Sequence, residues 1–205
     1  MLNEPYSQRI RERIFSFSPG TVFCIADLSD CGSYDAVRQT LSRMSKDILY
    51  LQRVVSGIYW LNPHNEKTPQ ATDVMNALVR NNNWFVFPGT ELARYHLGLS
   101  KIEPSSITYL STGPSGRYYY SENDYFTLQH CGWKYLTTVK PETALFVSAF
   151  WELNTHPVTA QEVMHLASSL SEDHKKILME ELNYIPVRLR CIAEIICGRY
   201  GKGLK

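Results

Sequence analysis

Between Tyr6 and Leu61 the spacing of apolar residues changes several times, and each change predicts a new element. Tyr6, Ile10, Ile14 and Phe17 recur at spacings of four, four and three, on one face of a helix over Pro5–Phe17 that Ser18-Pro19-Gly20 stops. Thr21–Cys24 is a short β-branched and aromatic run, and Ile25–Leu28 suits a short helix before Asp30-Cys31-Gly32 breaks the chain. Ser33 is a good N-cap, with Asp35 in the first turn, and Val37, Leu41, Met44 and Ile48 then form the stripe of a stronger helix. Tyr50–Val55 and Ile58–Leu61 are β-rich runs separated only by Ser56-Gly57, which predicts a tight hairpin.

Pro63–Gln70 is polar, holds two prolines and shows no periodicity, so it is expected to be a linker. Beyond it, Ala71–Asn81 has helical spacing, Trp84–Phe87 is a short aromatic strand and Thr90–Leu97 a further short helix. Ser106–Leu110, Arg117–Tyr120 and Tyr125–Cys131 read as strands of a small antiparallel sheet, with Gly113-Pro114-Ser115-Gly116 as a hairpin turn. The aromatics Tyr118, Tyr119, Tyr120, Tyr125 and Phe126 are expected to pack this sheet against C-terminal helices. Those helices follow from Pro141: one through Ala144–Trp151, one opened by the capping box of Thr159 and Glu162, one capped by Ser171, and a last one opened by Pro186 and running to about Cys197. The tail Gly198–Lys205 is expected to fray.

Helix, short strand, short helix, turn, amphipathic helix and two-stranded ribbon, in that order, make the plan of a winged helix-turn-helix. The predicted fold class is therefore α+β: a winged helix-turn-helix DNA-binding domain over residues 1–62, then an α+β domain over 71–205 with a small antiparallel sheet and C-terminal helices.

The net charge of +1 points to no particular partner, so any nucleic-acid surface must be local. On the second helix the outward arc holds Asp35, Arg38, Gln39, Ser42, Arg43 and Lys46, with Ser33 and Tyr34 at its start and Arg53 on the ribbon. Ser33, Tyr34, Arg38, Gln39, Ser42, Arg43, Lys46 and Arg53 are the predicted DNA-binding residues; Arg9, Arg11 and Arg13 add positive charge on the first helix. Glu12, Asp27, Asp30, Asp35 and Asp47 nearly cancel these cations within the same segment, so a protein-binding adaptor built on the same module stays open as an alternative.

Chemistry of other kinds finds little support. The five cysteines include no C-x-x-C pair, and reduced, mostly buried thiols fit them best. The six histidines form no zinc spacing, and His130-Cys131 are strand neighbours whose side chains point to opposite faces. The expectation is of no catalytic residues, no metal and no cofactor, with a small enzyme as the weakest of three readings. Met1–Phe17 lacks the apolar core and cleavage site of a signal peptide, and no apolar run approaches the roughly 20 residues needed to span a bilayer. The expected location is cytoplasmic, with no membrane contact.

The stretches Ser18-Pro-Gly-Thr-Val-Phe to Asp27-Leu28, Ala36-Val37 through Leu41-Ser42-Arg43-Met44, Arg53-Val54 and Ser56-Gly57-Ile58-Tyr59 resemble the N-terminal winged helix of AbiEi-like antitoxins of type IV toxin-antitoxin systems. Pro88-Gly89-Thr90-Glu91-Leu92-Ala93, Leu97-Gly98-Leu99-Ser100 and Thr108-Tyr109-Leu110-Ser111-Thr112-Gly113-Pro114 are similar to that family's signature after its linker, so the likeness extends to about Trp151. The resemblance implies a transcriptional repressor that binds double-stranded operator DNA and acts as antitoxin to a co-encoded nucleotidyltransferase-like toxin.

Overall fold

The structure, a computed structural model, describes residues 6–62, 68–153 and 156–199. It is of mixed α and β composition and divides into two compact units, one of residues 1–84 with 117–126 and the other of residues 85–116 with 127–205. No helix among the described residues is long and apolar enough to cross a membrane.

The first unit opens with α1 (Tyr6–Phe15), β1 (Val22–Cys24), a 3-10 turn (Ile25–Leu28) and α2 (Tyr34–Asp47). The hairpin of β2 (Leu51–Val55) and β3 (Ile58–Leu61) follows, and then α3 (Ala71–Asn82). The order of elements up to β3 is the one expected from the sequence. Ser33 caps α2 by accepting from the Ala36 N–H at 3.4 Å, and Gly57, at φ +78°, supplies the left-handed residue that the tight turn requires.

The three strands form an antiparallel sheet in the order β1-β3-β2, with Val22 opposite Trp60 and Arg53 opposite Tyr59. Leu51, Tyr59 and Leu61 join Ile10, Ile14, Val37, Leu41 and Met44 in the core beneath α1 and α2. Ile58 and Trp60 alternate to the opposite face, yet all four residues of β3 are buried. The element that covers the second face is α3, which packs on β1 and β3 and buries Val74, Met75, Ala77 and Leu78. Burying a side chain the size of Val74, Met75 or Leu78 contributes about 1.5–3 kcal/mol. Arg80 of α3 donates to both carboxylate oxygens of Asp27 in the 3-10 turn, at 3.1 and 3.0 Å.

This corrects the expected division into 1–62 and 71–205. A sheet with apolar residues on both faces cannot leave one in water, so α3 groups with the N-terminal unit. Of the expected linker Pro63–Gln70, residues 63–67 lie outside the described residues, and Thr68–Gln70 lead into α3.

The second unit contains β4 (Val86–Pro88), α4 (Thr90–His96), β5 (Thr108–Ser111) and most of β7 (Tyr125–His130), followed by α5 (Pro141–Ala149), α6 (Ala160–Ser169), α7 (Glu172–Glu180) and α8 (Val187–Ile196). With β6 (Gly116–Tyr119) the strands run β4-β5-β7-β6, and β5 pairs with β7 in parallel, Thr108 opposite Thr127. The sheet is therefore mixed rather than antiparallel, and residues 113–116 are not a hairpin turn between paired strands. They begin the crossover that carries the chain past β7 to β6, which a reading of consecutive strands as neighbours misses.

In this unit α5 is apolar nearly all round, as a helix enclosed by others must be, and Phe146 and Phe150 lie at the centre of the core with Leu166, Leu178 and Leu189. The capping box at α6 forms as expected, Thr159 and Glu162 exchanging hydrogen bonds at 2.9 and 3.3 Å, and Ser171 caps α7. Glu162 also pairs with Arg94 of α4. The tail beyond Arg199 lies outside the described residues.

Candidate functional site

Of the eight residues expected to bind DNA, Arg53 lies on β2 and the other seven lie on α2 or at its cap, where the helical period spreads them over two flanks and the arc between. Tyr34, Arg38 and Ser42, spaced by four, face the hairpin, while Arg43 faces α1. Gln39 and Lys46 are exposed on the arc between, and Ser33 sits at the N-terminus with its hydroxyl engaged in the cap.

On the hairpin flank a cleft of about 350 Å³ brings Tyr34, Arg38 and Ser42 together with Arg53 of β2. The register places Arg53 opposite Tyr59, so both side chains share a face of the ribbon. Arg53 donates to the Ser56 hydroxyl at 3.1 Å, and Arg38 pairs with Asp35 at 3.3 Å. Both partners of that ion pair are more than half exposed, so it holds Arg38 weakly. Burial pushes the Tyr59 phenol above its usual range; the charges of Arg53 and Arg38 oppose this and the neighbouring Tyr34 adds to it. The phenol is thus a neutral donor set among the two guanidiniums.

The remaining wall of the cleft comes from Asn81 and Trp84, at and just after the end of α3, and from Tyr118. Sequence reasoning places all three outside the N-terminal module. The available signal was the unbroken apolar run Ile58-Tyr59-Trp60-Leu61, which demands a cover on each face of the sheet and so calls the following helix into the unit. Residues 117–126 also belong here, correcting the expectation that their aromatics face the C-terminal helices: Tyr118 and Tyr120 both stack on the buried Phe126, with ring centroids 5.7 and 6.2 Å away.

On the other flank Arg43 shares a groove with Arg11, Glu12 and Asp47. The other arginines of α1 are committed locally, Arg9 donating to the Asp30 carbonyl at 2.8 Å and Arg13 lying over the Phe17 ring at 5.6 Å.

Elsewhere the reactive side chains are held in structural roles. Cys24 is buried beside Asp27, and its thiol is pushed up to about 11 by burial first and by that carboxylate second, so it is protonated at neutral pH. Burial likewise raises the Cys131 thiol, and the neighbouring His130 has its Nδ1 3.0 Å from the Gly113 carbonyl. All five cysteines are free. No group of three metal-binding side chains occurs among the described residues.

No curated protein and no solved structure matches the chain. A protein-family match covers residues 9–178, most of both units, and its description, a family of unknown function, assigns no activity to the clefts described above. On that match the chain belongs to the DUF6088 family.

Proposed function

We propose that this protein is a transcriptional repressor that binds double-stranded operator DNA through a winged helix-turn-helix, and that it serves as the antitoxin of a type IV toxin-antitoxin system. The observation that carries the DNA-binding reading is the exposed arc of α2, with Arg38, Gln39, Arg43 and Lys46 free of the core and Arg53 beside them on the ribbon. Arg43, Lys46 and Arg53 have no carboxylate partner among the described residues, and Arg38 has only its exposed pair with Asp35. A helix with such a face, flanked by a cationic ribbon, offers donors for base edges and cations for phosphates in one surface. The antitoxin role, with a nucleotidyltransferase-like toxin encoded beside it, rests on the family resemblance of the sequence.

A gel shift with the DNA upstream of the gene tests the first part. Wild-type protein is expected to retard that fragment, with an affinity that falls as salt rises. Replacing Arg38, Arg43 and Arg53 together by Ala is expected to abolish the shift, at about 1–3 kcal/mol for each arginine that touches DNA. A shift unchanged in the triple variant assigns the DNA to another surface. No shift at all, together with capture of a protein partner that the same variant fails to capture, favours the adaptor reading. For the second part, co-expression with the neighbouring gene should rescue growth; a neighbour that is not toxic removes the antitoxin role and leaves DNA binding standing.

A further inference from the structure

Four clefts on the described residues each carry Asp or Glu in their lining: Glu91 and Glu103, Glu12 and Asp47, Glu172 and Glu180, and Glu122 and Asp124. The cleft between α2 and the hairpin carries none, and it holds two guanidiniums, those of Arg38 and Arg53. A chain of nearly balanced charge thus sets two guanidiniums on one concavity, Arg38 with only its exposed pair to Asp35 and Arg53 standing between this cleft and the one that holds Glu122 and Asp124.

The opposite wall has a different chemistry. Trp84 and Tyr118 contribute aromatic rings, and Asn81 a carboxamide whose oxygen is buried without a hydrogen-bond donor. An orphaned buried acceptor is destabilising, so a donor brought by a ligand, after a small rotation of the amide, would be used. At about 350 Å³ the cavity lies within the range of small-molecule sites.

We propose that this cleft is a nucleotide-binding site, taking a nucleoside monophosphate with its phosphate on Arg38 and Arg53 and its base against Trp84, Tyr118 and Asn81. Two guanidiniums suit a dianionic phosphate, since each presents a planar fork of donors to its oxygens. The aromatic rings offer a face to a heteroaromatic base, and a carboxamide reads a base edge by donating and accepting at once. Duplex DNA meets only half of this chemistry, because its bases are stacked within the helix and cannot reach the wall formed by Trp84 and Tyr118. A lone nucleotide meets both halves.

A consequence follows that rests on the DNA-binding reading above. Arg38 and Arg53 cannot hold a nucleotide phosphate and an operator phosphate together, so the nucleotide is an inducer that displaces the protein from DNA.

Calorimetric titration of the full chain with AMP, GMP, CMP and UMP tests the site, with inorganic phosphate, adenosine and benzoate as partial ligands. At least one monophosphate is expected to bind with Kd below about 1 mM, and each partial ligand about tenfold or more weakly. Trp84→Leu and Arg53→Ala are each expected to weaken nucleotide binding about tenfold or more. Asn81→Asp keeps the size of the side chain and adds a carboxylate to the lining, so it should act in the same direction while its thermal midpoint confirms that it folds. Absence of binding by all four nucleotides overturns the proposal, as does inorganic phosphate or benzoate binding equally well, or indifference of the affinity to the folded variants. In a DNA-binding assay the preferred nucleotide should weaken the complex about tenfold, and Trp84→Leu should keep DNA affinity while losing that sensitivity. If nucleotide binds and the DNA complex is unaffected, the inducer role is wrong. If no DNA binds at all, the repressor reading fails while the titration still decides the site.

Discussion

On its hairpin side α2 presents Tyr34, Arg38 and Ser42 to a cleft without a carboxylate, whereas on its α1 side it presents Arg43 to a groove that also holds Glu12 and Asp47. The two flanks belong to one helix and stand on one core. They differ in what surrounds them: β2 adds a second guanidinium to one, whereas α1 adds Arg11 together with Glu12 to the other, which the end of α2 also lines with Asp47. The same cation on the two flanks therefore meets different fields, and counting charges over the segment hides the difference. The near-cancellation of charge in residues 1–62 is an average over a groove that two carboxylates line and a cleft that none does, although Arg38 in that cleft keeps its exposed pair with Asp35.

The largest expected effect removes both flanks together. Leu41 is fully buried beneath α2, and Leu41→Ala is expected to cost about 2–5 kcal/mol, read as a lowered denaturant midpoint, with every α2-dependent binding activity falling in parallel. If one flank keeps its function in that variant under conditions where the unit has unfolded, that function does not reside on α2.

Single arginines come next and separate the flanks. Arg53→Ala is expected to weaken DNA binding by about 1–3 kcal/mol, and Arg43→Ala by less, because Glu12 and Asp47 line the groove that Arg43 shares and lower the positive field there without pairing with it. Anisotropy titrations of the two variants side by side check this ranking, and equal losses would show that the acids do not matter.

Much of this was legible in the chain and part of it was not, for physical reasons. The strongly periodic elements, the Ser33 cap, the Thr159 and Glu162 box and the Ser56-Gly57 turn are local, each set by residues within a few positions of one another. The cation-bearing arc of α2 was local in the same sense. The cleft was not, because its far wall comes from Asn81, Trp84 and Tyr118, brought in by packing across a sheet with two apolar faces. The parallel pairing of β5 with β7 escaped for the same reason: the turn residues 113–116 mark a change of direction and say nothing about which strand lies alongside.

A smaller effect concerns how α3 is held in the first unit. Burial works to raise the Asp27 carboxyl, but hydrogen bonds from Arg80 and from the Cys24 backbone N–H outweigh it and hold the group below its ordinary value of 3.8. A folded pKa below the unfolded one stabilises fully above that ordinary value, and the contribution is lost as pH falls through the lowered one. Wild-type stability should therefore lose Asp27's contribution as pH falls below 3.8, and Arg80→Ala should remove much of that loss. Denaturant midpoints of the two proteins at each pH measure it, and identical pH profiles would show that the pair contributes nothing.

The smallest expected effect is a gain. Asp47→Asn takes a carboxylate from the α1 flank and should strengthen DNA binding by no more than about 1 kcal/mol, most visibly at low salt. A loss instead would mean that Asp47 orients Arg43 rather than neutralising it.

The salt dependence of DNA binding tests the central claim most directly, since it reports how many phosphates the protein neutralises without assuming which residues do so. If the arc of α2 and the ribbon dock on duplex DNA, the logarithm of affinity falls linearly with the logarithm of salt concentration, and the Arg38, Arg43 and Arg53 triple-Ala variant shows a slope shallower by about one for each phosphate it no longer neutralises. A wild-type slope near zero, or one that the triple variant leaves unchanged, would contradict the account.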